Sequence, residues 1–180
     1  MVKYVISAKE VLVMCNKYKY LLELEDYQLI SEICEGIIDE IRNLPSEDDF
    51  EKMAEIKFYL LAASTFDMEM QNGGLCQFIV NAGKLHGPLL EKALCVFGAE
   101  QHQKLLSQFS KDNNIDFRNL QKLAPGNMDP YSMVDDYFEL LAKYPFCDFE
   151  QAYYELDRAC PLVVILAEYV RENISQFLPH

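Results

Sequence analysis

Residues 58–83 read FYLLAASTFDMEMQNGGLCQFIVNAG. The first nine are apolar nearly all round, as expected of a helix that runs through the centre of a domain. Gly73 and Gly74 then interrupt the pattern, which resumes at once with Leu75, Phe78 and Ile79 on one helical face. A glycine just past a helix end can take the left-handed conformation that satisfies the last carbonyls. The central helix, opening at Glu47 and running to about Gln71, is therefore expected to stop before Gly73. Gln77 and Asn81, four apart, share another face and are placed to hydrogen-bond backbone near the break, with Glu69 and Asn72 just before it. The stretch reads as an amide-braced helix-to-helix corner. A polar pocket at that corner, formed by Glu69, Asn72, Gln77 and Asn81 and open to a small ligand, is the other reading of the same residues.

Helix signals continue in both directions. Ser7 and Glu10 make a capping box that opens a segment to about Glu25. Tyr27, Ile30, Ile33, Cys34, Ile37, Ile38, Ile41 and Leu44 recur at spacings of three and four before Pro45, which predicts an amphipathic helix. Ser46 offers a cap for the central helix, with Glu47, Asp48 and Asp49 complementing its dipole. Pro88 fits the first position of a helix ended by Gly98, and another helix follows to about Phe109. Residues 109–127 read mostly as loop. Asp129 and Pro130 open a further helix that ends before Pro145, and a last pair covers Phe149 to Arg158 and Pro161 to Phe177. No strand alternation with turn chemistry is present. The expected fold is all-α, a single compact domain of about eight helices over residues 1–180.

Composition narrows the function. The chain is 51% apolar, enough for one core, and its longest apolar run, Leu162 to Ala167, is far below the roughly 18 residues of a membrane span. Charged residues bracket the short apolar stretch near the start, and no cleavage site follows, so the segment reads as a mature helix of a cytoplasmic protein. Six cysteines lie scattered with no C-x-x-C pair, which points to reduced thiols. The net charge of −13 is unevenly spread: residues 1–20 carry +3, 21–72 carry −11, 73–123 carry +2 and 124–180 carry −7. Such a field disfavours nucleic acid and anionic lipid and favours a basic protein partner.

Glu69, Asn72-Gly73-Gly74, Gln77-Phe78, Asn81 and Gly83, with ALCVFGA at 93–99 and FEQAYYELDRACPLVVILAEYVREN from Phe149, resemble the signature of the bacterial DNA mimic protein (DMP-type) family over about residues 25–175. The resemblance implies an all-helical cytoplasmic protein, often dimeric, without established catalysis. One branch of that family presents carboxylates in place of DNA phosphates and so occupies a DNA-binding protein. The shared motif is the glycine corner, so mimic residues must be sought in this chain's own acids.

Glu32, Glu35 and Asp39 fall on the solvent side of the second helix, roughly 5 to 6 Å apart along its axis. Phosphates on one strand of B-DNA recur every ~3.4 Å of axial rise, so one stripe is sparser than a strand and a second is needed. Candidates are Glu47, Asp48 and Asp49, and Asp135, Asp136 and Glu139. Like charges at these spacings cost an isolated helix a few tenths of a kcal/mol per pair, which helix stability alone does not explain. Solvation and dipole complementation remain the plainer account. Tyr131, Tyr137, Phe138, Tyr144, Phe146, Phe149, Tyr153 and Tyr154 crowd the C-terminal acidic block, as core or as anchors of a protein interface, a homodimer included.

Catalytic chemistry finds little support. His86, His102 and His180 have no metal-ligand spacing, and Gly98 separates Cys95 from His102. Asp112, Asn114 and Asp116 open like a calcium loop, but Phe117 stands where glycine is required and Leu123 where glutamate is. No metal, cofactor or phosphate-cradling loop is expected. The leading expectation is an acidic interaction module that occupies a DNA-binding regulator by phosphate mimicry. A neutralising partner of another basic protein and a small-ligand binder at Gly73-Gly74 stand beside it.

Overall fold

The structure is a computed structural model that describes residues 19–46, 53–123 and 130–178. The capping box at Ser7 and Glu10, the acids Glu47, Asp48 and Asp49, and Asp129 lie outside the described residues. Residues 19–22 are helical. After them come α1 (Asp26–Arg42), α2 (Glu55–Asn81), α3 (Gly83–Val96), α4 (Glu100–Asn113), a 3-10 segment (Phe117–Lys122), α5 (Pro130–Lys143), α6 (Phe146–Ala159), α7 (Leu162–Glu172) and a 3-10 turn (Ile174–Gln176). No strand occurs among the described residues, so the chain is all-α as its patterning predicts.

Helix α2 is the axis of the molecule and contacts α1, α3, α5, α6 and α7. Its all-round apolar run has this cause: Tyr59, Leu60, Leu61, Ala62, Ala63 and Phe66 are all buried, because neighbours cover every side. Helix α1 turns Leu29, Ile30, Ile33 and Ile37 inward against α2 and α7. Tyr27 and Ile38, counted in the same stripe, stay exposed because the stripe is wider than the face its neighbours cover.

Several expected boundaries move. Helix α2 begins at Glu55 instead of Glu47, and it does not end before Gly73 but continues across a kink to Asn81. Pro88 lies inside α3, which starts five residues earlier at Gly83. Gly98 does end α3: its φ of +77° lets Ala99 N–H reach Leu94 O at 2.8 Å and its own N–H reach Cys95 O at 3.1 Å. Helix α4 runs to Asn113, four residues past the expected end, where Asn114 takes the left-handed conformation at φ 53° and closes the same kind of cap. The 3-10 segment that follows is capped by Asp116, whose carboxylate accepts from Arg118 N–H at 3.1 Å.

One buried charge ties the ends of the fold together. Lys57 is fully buried, and its Nζ donates to Glu40 Oε2 at 2.6 Å and to Leu178 O at 3.1 Å. It joins α1, α2 and the C-terminal turn at one point.

Candidate functional site

The glycine pair sits at the kink of α2. Gly74 adopts φ 81° and ψ −172°, a conformation essentially reserved for glycine, and the helix axis changes there without the chain leaving helical geometry on either side. The Leu75 N–H, which an uninterrupted helix would direct at Gln71 O, instead donates to Glu150 Oε1 at 3.1 Å. A side chain on Gly74 would occupy the place of that carboxylate. From the next turn of α6, Tyr154 OH donates to Met70 O at 2.6 Å. Glu150 and Tyr154, four apart on one face, thus satisfy an N–H and a C=O on the two sides of the kink.

Glu69 braces the kink from its other flank. Its carboxylate is buried, and Oε2 accepts from Gln77 Nε2 at 2.7 Å and from Asn81 Nδ2 at 3.2 Å. The amides therefore hold a carboxylate, where the sequence suggested backbone. A Cβ on Gly73 would fall on the Gln77 side-chain amide, so the glycine leaves that amide room to reach Glu69. Phe78 is buried in the core edge-on to Phe66, with ring centroids 5.3 Å apart. Asn72 does not join this group: it is exposed and lines a groove between α1 and α2. Glu69, Gln77 and Asn81 are thus brought together in mutual hydrogen bonds, and Asn72 is not among them.

Carboxylates on α1 and α5 face outward. Glu32, Glu35 and Asp39 are exposed along α1, and among the described residues Glu32 and Glu35 carry no ion pair, while Asp39 meets the equally exposed Arg42 at 3.4 Å. On α5, Asp135 and Glu139 are exposed and Asp136 is half-buried. Apolar side chains are interleaved with them: Tyr27 and Ile38 on α1, and Val134, Phe138 and Leu141 at helical spacing on α5. Most other aromatics of the C-terminal block are structural. Phe146, Phe149 and Tyr153 are buried, and Tyr137, Tyr144 and Tyr154 are half-buried.

The chain belongs to the DMP19-like protein family. The family model matches residues 51–173, from the end of the acidic run through α7. The DMP19-like region therefore contains the kink, its Glu150 and Tyr154 clamp and the α5 acids, whereas α1 with Glu32, Glu35 and Asp39 lies before it and the match begins later than residue 25. Comparison with curated proteins and with solved structures gives no significant match.

Other titratable groups were not legible as a set in the sequence. Asp67 accepts from Tyr153 OH at 2.7 Å, and burial, countered by that bond and reinforced by Asp157, raises its carboxyl above the ordinary range. Asp157 accepts from Gln71 Nε2 and from Leu162 N–H, both at 3.0 Å, and so caps α7. His102 is buried edge-on to Tyr153, and burial, opposed by Asp157, lowers its pKa. Cys95 faces solvent on a different helix, so the two do not form a nucleophile and base. Burial pushes the Cys76 thiol up to about 12 and the Cys34 thiol up to about 11, away from thiolate chemistry. Among the described residues no group of three His, Cys, Asp or Glu side chains could hold a metal ion, and no helix is long and apolar enough to cross a membrane. Asp112 and Asp116 serve helix ends, bonding Gln108 and Arg118.

Proposed function

We propose that this DMP19-like chain is an acidic interaction module that occupies the nucleic-acid-binding surface of a basic regulator, its carboxylates standing where phosphates would. The observation that carries this reading is membership in a family named for a DNA mimic protein, in a chain of net charge −13. Exposed carboxylates support it, Glu32 and Glu35 on α1, without an ion pair among the described residues, and Asp135 and Glu139 on α5, since such a surface attracts a basic partner over a long range at low ionic strength. The small-ligand alternative at Gly73-Gly74 loses ground because Gln77 and Asn81 already occupy the Glu69 carboxylate.

A tagged full-length chain incubated with lysate at low and high salt, with bound proteins identified and then challenged with duplex DNA, tests the reading. Retention of a DNA-binding protein that is released by salt and displaced by duplex is the expected result. A partner indifferent to both treatments would overturn mimicry. A partner released by salt but not by duplex would indicate neutralisation of some other basic protein. Charge reversal of Glu32, Glu35 and Asp39, or of Asp135 and Glu139, should weaken retention if the respective stripe makes the contact.

A further inference from the structure

A groove of about 510 Å³ runs between α1 and α2, closed beneath by α7. The helices are antiparallel along it: Glu40 meets Lys57 at one end, and Cys34 lies beside Ser64 further along. Ile30, Leu61 and Leu166 line it with nearly buried apolar surface, and Tyr27, Ile38 and Met68 stand at its edge. Met68 is 47% exposed and Tyr27 71% exposed, large apolar surfaces left uncovered beside a concave site.

The same groove carries three carboxylates, Glu35, Asp67 and Asp157, and no Lys or Arg lines it among the described residues. Asp67 and Asp157 interact unfavourably with each other, and no ion pair with either is present among the described residues. Their protein bonds come from neutral groups, Tyr153 OH, Gln71 Nε2 and Leu162 N–H, so each carboxylate keeps acceptor capacity toward a cation. Burial without a counter-charge is the condition that an incoming guanidinium relieves most, since it is weakly hydrated, forks toward carboxylates and packs on aromatic faces such as Tyr27.

We propose that this groove docks an amphipathic helix of the basic partner, its apolar side chains against Ile38, Met68 and Leu61 and an arginine directed at Asp67 and Asp157. The inference rests on the reading of a basic partner and adds a contact that phosphate mimicry lacks. Mimicry would be lost at high salt, whereas apolar burial in the groove persists. The site is distinct from the kink of α2 and from the α5 acids.

The test uses the full chain and two labelled 18-residue helical peptides, one built of Leu and Arg and one of Leu and Glu, with affinity read by fluorescence anisotropy in low and high salt. Methyl NMR of Met68, Ile30 and Ile38 reports location. The Leu-Arg peptide should shift these methyls and retain part of its affinity at high salt, and the Leu-Glu peptide should not bind. The paired change Ile38→Ser and Met68→Ser, and separately Asp67→Asn, which keeps an acceptor for Tyr153, should each weaken binding on the order of tenfold. Reversal of Asp135 and Glu139 should leave peptide affinity unchanged. Equal binding of both peptides, unshifted groove methyls, or groove variants that bind as the wild type would overturn the proposal. If the peptide pattern holds while no salt-released DNA-binding protein is captured, the groove stands and mimicry falls; the reverse pattern removes the groove alone.

Discussion

Gly74 is where one residue decides the shape of the longest helix. Its positive φ and the carboxylate of Glu150 lying over its Cα together exclude any side chain, so Gly74→Ala should lose about 2–4 kcal/mol of unfolding free energy in a urea titration. Gly36 supplies the internal comparison: it is helical with nothing within reach of an added Cβ, and Gly36→Ala should stabilise by roughly 0.4–1 kcal/mol. His102 is the second informative residue. Both ring nitrogens are buried without a hydrogen-bond partner among the described residues, and burial lowers the pKa in the folded state. The folded protein then binds fewer protons than the unfolded chain below the unfolded value of ~6.5, so this contribution to stability is full above pH 6.5 and declines as pH falls through the window below it. His102→Phe should preserve the edge contact with Tyr153, match or exceed wild-type stability at pH 7, and flatten the pH dependence of the melting temperature below about pH 6.5.

At the scale of elements, the kink of α2 is maintained by a neighbour. Helix α6 supplies an acceptor and a donor four residues apart, and Glu69 with its two amides closes the opposite side. Tyr154→Phe should cost about 0.5–1.5 kcal/mol and Glu150→Ala about 1–3 kcal/mol, the latter leaving Leu75 N–H unsatisfied in a buried position. Because both act on one bend, their combined effect in a double-mutant cycle should fall short of the sum. The sequence made the bend legible through its two glycines and the amides that follow. It did not disclose Glu150 and Tyr154, which lie about 80 residues away and are read locally only as an acid and an aromatic on an amphipathic helix. Pro88 shows the converse: its usual place at a helix start suggested a boundary, but α3 already runs from Gly83.

For the whole molecule, the buried Lys57 is the point where distant parts of the chain meet. Lys57→Ala would strand the Glu40 carboxylate and the Leu178 carbonyl without their donor, and a loss of about 3–5 kcal/mol in chemical denaturation is expected. Arg171 makes a second tie between the C-terminal helix and the start of α1, bonding Asp26 and Leu24 O. The all-helical class, the central position of α2 and the acidic balance were determined by the sequence itself, because periodicity, helix-ending residues and net charge are local or additive properties. Which acids stand exposed, and how Glu35, Asp67 and Asp157 come to share one groove, were decided only by tertiary structure. Each depends on the packing angle and register of helices far apart in the chain, and no window of sequence contains both partners.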